Sequence, residues 1–169
     1  MIQLVTHGPE ETIALGRRIG QAIQANLFIA LSGDLGAGKT TFTSGLAAGL
    51  GIPVPVTSPT FTLVNDYMTG HRSQARRLVH MDVYRLEGSS AIELDGIGFG
   101  DLMDELEAPA DFGLLVLVME WADRLGPRLP EDRLDVSSVT DEDDPDVRVF
   151  TLRAWGETAT DLLHRLTEG

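Results

Sequence analysis

The chain of 169 residues contains no cysteine and a single lysine, Lys39, since all its other fixed cations are arginines. The absence of cysteine excludes disulfides and thiolate metal sites. No apolar run approaches the ~20 residues of a membrane-spanning helix, and residues 1–5 carry no basic region typical of a signal peptide. The formal net charge of −13 disfavours a surface that binds nucleic acid broadly. We therefore expect a globular cytoplasmic protein, a single domain over residues 1–169, that contacts no membrane.

The single lysine lies in the segment GDLGAGKT, residues 33–40, which matches the P-loop pattern G-x-x-x-x-G-K-[ST] at every fixed position. An apolar run typical of a buried strand precedes it at 26–32, and apolar residues at helical spacing follow at 41–50. Backbone N–H groups of such a loop surround phosphate oxygens, and the helix N-terminus adds its positive end. The segment predicts a nucleoside triphosphate site in which Lys39 contacts the outer phosphates and Thr40 ligates Mg²⁺.

The most apolar run in the chain, residues 114–119, ends in Glu120-Trp121. Its length and composition predict a central parallel strand. An acid at the end of such a strand is the Walker B arrangement, at the crevice where open α/β sheets bind ligands. Glu120 is thus predicted to bind the metal or to orient water, the alternative being an acid that merely closes a strand. Trp121 belongs either to the core or to the border of this site.

The remaining segments predict an α/β fold: a single P-loop NTPase domain with a mixed β-sheet flanked by helices. Strands alternate with helical patterns, and two strand pairs are close enough in sequence to form hairpins. The expected elements are an edge strand at 1–6, a helix at 9–25, strands at 61–68 and 78–84, helical segments at 89–104, strands at 131–139 and 147–152, and a closing helix at 158–166.

Two polar segments leave their roles open at this level. The Thr60 of Ser-Pro-Thr follows the P-loop helix, where a threonine either completes a Mg²⁺ shell or belongs to an ordinary turn. In a strand over 78–84, His80, Asp82 and Tyr84 would share one face. Such a face meets either solvent or a polar site.

A third polar feature is the arginine cluster of Arg72, Arg76 and Arg77 in an otherwise acidic chain. It is interpreted first as a solvated hairpin tip. The alternative is a contact with RNA or with an acidic partner.

Four motifs, in this order, resemble those of the bacterial TsaE (YjeE) family, the P-loop ATPase of the tRNA threonylcarbamoyladenosine pathway. They are GDLGAGKTT at 33–41, SPTFTLV at 58–64, HMDVYRL at 80–86 and EW at 120–121. The resemblance covers nearly the whole chain. It implies an ATPase, weak alone, whose hydrolysis resets a complex with TsaD-like and TsaB-like partners, and which meets tRNA only through that complex.

The resemblance also implies roles for individual residues. Thr60 is expected to sense the γ-phosphate, and either Glu120 or Asp82 to orient the attacking water. The implied catalytic residues are Lys39, Thr60, Asp82 and Glu120, and the implied Mg²⁺ ligands are Thr40, Asp82 and Glu120. The implied ATP contacts are Thr12, Gly33, Asp34, Gly36, Ala37, Gly38, Lys39, Thr40, Thr41 and Trp121.

The chain departs from the family pattern at three places: Met81 where phenylalanine is usual, the arginine-rich tip at 71–77, and an acidic turn at 141–146. None of the three is expected to touch the phosphate site, and they leave the partner-facing surface open. Two other functions stay open: a small-molecule kinase, for which residues 72–77 are the only candidate for a basic lid, and a non-catalytic ATP-binding module. No Asn-Lys-x-Asp motif occurs, which disfavours GTP.

Overall fold

Strands and helices alternate along most of the chain in the computed structural model, which describes residues 1–69, 76–86, 91–109 and 113–168. The strands are β1 (Ile2–His7), β2 (Leu27–Gly33), β3 (Val64–Met68), β4 (Arg76–Asp82), β5 (Leu114–Glu120), β6 (Arg133–Thr140) and β7 (Val147–Trp155). The helices are α1 (Pro9–Ala22), α2 (Lys39–Gly49), α3 (Ala91–Gly96), α4 (Phe99–Glu107) and α5 (Gly156–Glu168). A 3₁₀-helix spans Ala122–Arg128.

Within this part of the chain, seven strands form one sheet in the order β1-β7-β6-β2-β5-β4-β3. The four strands β6, β2, β5 and β4 run parallel. Antiparallel pairing adds β3 at one edge, and β7 followed by β1 at the other. The predicted α/β fold with a mixed sheet flanked by helices is confirmed, as are both hairpins and the edge position of β1. That residues 1–169 form a single domain stays a prediction.

Two apolar clusters cover the central part of the sheet. One joins α1, α2 and α5 to a sheet face and includes Ile19, Phe42 and Leu162. The other joins α3, α4 and the 3₁₀-helix to the opposite face and includes Leu94 and Phe99. Strand β5 contributes alternate residues to both clusters, which is why its sequence is apolar throughout.

Helices α1 and α2 pack with their backbones nearly in contact. A Cβ atom on Gly16 would lie 2.2 Å from the carbonyl oxygen of Phe42, and one on Gly45 would lie 2.2 Å from that of Ile13. Only glycine fits such an approach. The contact holds the start of α1 beside the loop that leads into α2.

Some element boundaries differ from the prediction. Helix α1 ends at Ala22 because Ile23 is extended. Strand β3 begins at Val64, since Leu63 has a φ of 65° and cannot continue a strand. Strand β4 ends at Asp82, whose Oδ1 accepts the N–H of Tyr84 at 2.9 Å, so Tyr84 does not share the strand face expected of it.

Other expectations fall partly outside the described residues. These include Arg72 and the polar turn at 69–74 beyond its first residue, and residues 89–90 of the predicted helical segment. No helix among the residues described is long and apolar enough to cross a membrane.

Candidate functional site

The loop between β2 and α2 is shaped by glycine and by the neighbouring strand β6. Gly36 and Gly38 have φ values of 81° and 89°, a left-handed conformation that glycine adopts without strain. Ser138 on β6 donates its hydroxyl to the carbonyl of Ala37. A Cβ on Gly33 would lie 2.6 Å from the Ser138 carbonyl oxygen. Strand β6 therefore fixes the curvature of the loop.

Helix α2 begins at Lys39, and its first backbone hydrogen bond runs from the N–H of Phe42 to the carbonyl of Gly38 at 2.8 Å. The N–H groups of Lys39, Thr40 and Thr41 precede that bond, so they belong to the first turn, where helical N–H groups have no partner within the helix. Such a first turn attracts anions.

Lys39 lies over the loop and beside the acid predicted on β5. Its Nζ donates to the carbonyls of Gly33 at 2.6 Å and Asp34 at 3.2 Å. The same Nζ lies 3.8 Å from Glu120 Oε2. The only lysine of the chain is thus placed between the loop carbonyls and a buried carboxylate.

Glu120 and Asp82 are register partners at the carboxyl ends of β5 and β4. Both are buried, with 5% and 4% of their surfaces exposed. Oε1 of Glu120 lies 3.0 Å from Nε2 of His80, which is two residues before Asp82 and shares its side of the sheet. The face that the sequence left open therefore borders a polar site.

The Ser-Pro-Thr segment reaches Asp82 from the loop after α2. Thr60 donates its hydroxyl to Asp82 Oδ2 at 3.3 Å, and its Oγ1 lies 2.8 Å from the hydroxyl of Ser58. The structure therefore brings Thr60 to Asp82, and its response to nucleotide stays a prediction.

A cavity of about 180 Å³ opens beside Lys39 and Glu120. Trp121 borders it and is 43% exposed, with a left-handed φ of 62° and its ring 4.9 Å from that of Tyr84. Of the two positions open from sequence, Trp121 occupies the border rather than the core. The lining is Leu31, Ser32, Gly33, Asp34, Lys39, Glu120, Trp121 and Asp123.

A second cavity, of about 110 Å³, lies on the other side of the loop. Thr12 lines it and is nearly buried, its hydroxyl 2.9 Å from that of Thr6. Arg148 lines it as well and donates from Nη2 to the carbonyl of Gly36 at 3.2 Å. The lining is Gly8, Pro9, Thr12, Gly36, Gly38, Thr41, Asp146 and Arg148.

The acidic turn reaches this second cavity. Its last residue, Asp146, lines the cavity together with Gly36, and that the turn does not touch the phosphate site stays a prediction. The Asp146 carbonyl accepts the N–H of Gly8 at 2.8 Å, which ties the turn to the start of α1. Arg148 and Ser138 carry no local sequence signal, because only the strand order brings them to the loop.

Of the arginine cluster, Arg77 is paired with acidic side chains outside the cluster. Arg77 donates to Asp66 Oδ1 at 3.0 Å and to Glu105 Oε2 at 2.5 Å. The hydrogen bonds to Asp66 raise the pKa of Arg77 above its ordinary value. Burial lowers this pKa, and the hydrogen bond to Glu105 raises it. These contacts join the β3–β4 hairpin to α4 and favour a structural role for Arg77.

A magnesium site on these residues would depend on few side chains. No group of three or more histidine, cysteine or acidic side chains able to hold a metal occurs in the described ranges. A P-loop Mg²⁺ site needs no such group, because a threonine hydroxyl, one or two acids, phosphate oxygens and water complete it. Thr40, Glu120 and Asp82 are the residues that could supply the protein ligands.

Comparison with known proteins gives a consistent result. The family model for "Threonylcarbamoyl adenosine biosynthesis protein TsaE" matches residues 6–149. The TsaE protein of Bacillus subtilis is 38% identical over 146 residues, 86% of this chain and 82% of that protein. The Streptomyces coelicolor protein of that name is 36% identical over 155 residues, 92% and 88% of the two chains.

A solved structure agrees with the sequence relatives. The crystal structure of Bacillus subtilis YdiB superposes with a TM-score of 0.69 at 32% identity, covering 99% of this chain and 94% of that one. The chain therefore belongs to the TsaE family.

Proposed function

We propose that this chain is the ATP-binding and ATP-hydrolysing component of the tRNA threonylcarbamoyladenosine machinery. Its relatives are named for tRNA threonylcarbamoyladenosine biosynthesis, and this supports a role in the same pathway. The observation that carries the hydrolase proposal is the meeting of Lys39, Glu120 and Asp82 at one edge of the sheet, with Lys39 Nζ 3.8 Å from Glu120.

In this proposal the loop binds the triphosphate. Backbone N–H groups of residues 36–40 surround the phosphate oxygens, and Lys39 neutralises charge on the β and γ oxygens. Trp121 borders the nucleotide on one side of the loop. Thr12 lines the cavity on the other side of the loop, and in this proposal the base lies near it.

The two carboxylates, Glu120 and Asp82, serve the metal ion and the attacking water in this proposal. Thr40, with Glu120 and Asp82, holds Mg²⁺ directly or through water, and the ion supplies neutralisation of the phosphate charge that grows during transfer. Either Glu120 or Asp82 orients the attacking water. Thr60, hydrogen-bonded to Asp82, senses whether a γ-phosphate is present.

Hydrolysis in this proposal serves a complex rather than the chain alone. The chain with ATP adopts a conformation that TsaD-like and TsaB-like partners bind, and hydrolysis removes that preference. Contact with tRNA is made through the partners, since a net charge of −13 opposes direct binding of a polyanion.

Phosphate release tests this function. We expect slow release from ATP by the chain alone and faster release when both partners and tRNA are added. Lys39→Ala should abolish the stimulated release. Stimulated release that is unchanged in the Lys39→Ala variant, or no release in the complete mixture, would contradict the proposal.

The kinase alternative is less well supported by the described residues. Arg77, which belongs to the candidate basic lid at 72–77, is held by Asp66 and Glu105. Incubation with γ-labelled ATP and a metabolite pool separates the two: free labelled phosphate indicates a hydrolase, and a labelled small molecule indicates a kinase.

A further inference from the structure

His80 is a fully buried histidine whose side chain contacts one polar group among the described residues. Its Nε2 lies 3.0 Å from Glu120 Oε1, and none of its surface is exposed. Its Nδ1 is buried with no hydrogen-bond partner in the described part of the chain. Most buried polar side-chain atoms in proteins have a hydrogen-bond partner. For the imidazole of His80, the partner among the described residues is Glu120.

The contact with Glu120 identifies the donor atom of His80. A carboxylate only accepts hydrogen bonds, so the proton of the shared bond lies on Nε2. His80 therefore donates its Nε2–H to Oε1 of Glu120.

Glu120 is held on both oxygens by two different groups. His80 contacts Oε1, while Lys39 lies 3.8 Å from Oε2. Of the two, only Lys39 sits on the phosphate-binding loop. A turn of Lys39 towards a phosphate oxygen would end its contact with Oε2 and leave the contact of Oε1 with His80.

We propose that His80 is a positioning residue: it fixes Oε1 of Glu120 and so presents Oε2 to Mg²⁺ or to a water in its shell. The inference rests on the proposed function, because it assumes that Glu120 serves the metal. A histidine in this place is a donor that orients a ligand from behind, as outer-shell partners of metal ligands do.

Asp82 needs no such help, which makes the effect of His80 selective. Its two oxygens accept from the Thr60 hydroxyl at 3.3 Å and from the Tyr84 N–H at 2.9 Å. Removal of the His80 donor should therefore disturb Glu120 and leave Asp82 in place.

Three substitutions separate positioning from packing. In His80→Gln the amide nitrogen is as many bonds from Cβ as Nε2 of histidine, so the donor is kept. In His80→Asn the amide nitrogen corresponds to Nδ1 and cannot reach Glu120. His80→Leu keeps the bulk and removes the donor. His164→Leu, at an exposed histidine of α5, is the matched control.

The primary readout is the gain in affinity for a non-hydrolysable ATP analogue when Mg²⁺ is added, measured by calorimetry with and without EDTA. We expect His80→Leu and His80→Asn to lower this gain about 10-fold and to leave the affinity in EDTA unchanged. His80→Gln and His164→Leu should behave as the wild type.

In phosphate release, His80→Leu and His80→Asn should lower kcat about 10-fold with KM unchanged. Circular dichroism confirms that each variant is folded.

Two results would overturn the inference. One is a wild-type Mg²⁺ gain in both His80→Leu and His80→Asn. The other is a His80→Gln variant as impaired as His80→Leu, which would make His80 a packing residue only. Failure of the proposed function is distinct, because it appears as a wild type that releases no phosphate, while the calorimetric comparison still decides the role of His80.

Discussion

Two groups of strands contribute to the site in different ways. The central strands are β2, β5 and β4, and the flanking strands are β6, β7 and β1. The central strands are covered by apolar clusters on both faces and supply side chains: His80, Asp82 and Glu120. The flanking strands bury one face, and on the other Val5 and Val139 are 53% and 62% exposed. They supply contacts to the loop backbone, so the chemistry and the shape of the site come from different parts of the sheet.

The difference follows from what each part of the sheet can hold in place. A carboxylate at the end of a strand that is packed on both faces has little freedom to move, and its interactions are strong because water is excluded. A strand covered on one face is less constrained, but it can still hold a neighbouring loop through single hydrogen bonds. Changes in the central strands should therefore alter the rate of hydrolysis, and changes in the flanking strands should alter loop stability and nucleotide affinity.

The largest effect is expected from Glu120→Gln. Loss of the carboxylate charge should reduce single-turnover phosphate release about 100-fold to 1,000-fold, the usual cost of removing one electrostatic contact to the reacting groups. ATP affinity in EDTA, measured by calorimetry, should change little. A Glu120→Gln variant that hydrolyses ATP at the wild-type rate would contradict the claim that the central strands supply the side chains that act in hydrolysis.

The next largest effect is expected from Gly33→Ala, at the junction of a central and a flanking strand. The added Cβ would lie 2.6 Å from the Ser138 carbonyl oxygen, at a φ of 149°. We expect a loss of about 1–3 kcal/mol in the free energy of unfolding, measured in urea, and weaker nucleotide binding. Gly51→Ala is the control, since its φ is also positive at 78° but nothing lies within 4 Å; equal losses in the two variants would mean that the contact with β6 is unimportant.

A smaller effect is expected from Ser138→Ala, which removes a flanking-strand hydrogen bond to the Ala37 carbonyl. The variant should lose about 0.5–1.5 kcal/mol and bind ATP a few-fold more weakly, with kcat unchanged, because the carboxylates are not touched. Ser137→Ala, one residue away and on the opposite face of β6, should resemble the wild type. A fall in kcat without a change in affinity would reverse the assignment of the two groups of strands.

The smallest effect is expected from Arg77→Gln, remote from the site. Ion pairs that are partly exposed contribute about 1 kcal/mol or less, so the melting temperature should fall slightly and phosphate release should not change. The pKa of Arg77 is raised in the folded chain. Its contribution to the free energy of unfolding is therefore fully present below the pKa of the unfolded chain, and it is lost only as pH rises through the pKa of the folded chain. The difference in melting temperature from the wild type should thus be constant between about pH 7 and about pH 9. If the difference in melting temperature disappears over this pH range, a group other than Arg77 controls it.

The sequence predicts the parts of the site that depend on local patterns. The loop at 33–40, the apolar strand before Glu120 and both hairpins all have signals within a few residues, and the structure contains each of them. Pairing of Ser138 and Arg148 with the loop has no such signal, because it depends on β6 lying next to β2. The contact between His80 and Glu120 likewise joins residues 40 positions apart, so it requires the order of β4 and β5 to be known.

Repeated turnover of the complex tests the central claim most directly. The chain, the proposed TsaD-like and TsaB-like partners, tRNA and the threonylcarbamoyl donor are mixed with ATP or with a non-hydrolysable analogue, and modified tRNA per complex is counted. With ATP we predict many modified tRNA molecules per complex, and with the analogue no more than about one, because in the proposed function hydrolysis resets the complex. Equal multiple turnover with the analogue would contradict the claim that this chain acts as an ATPase.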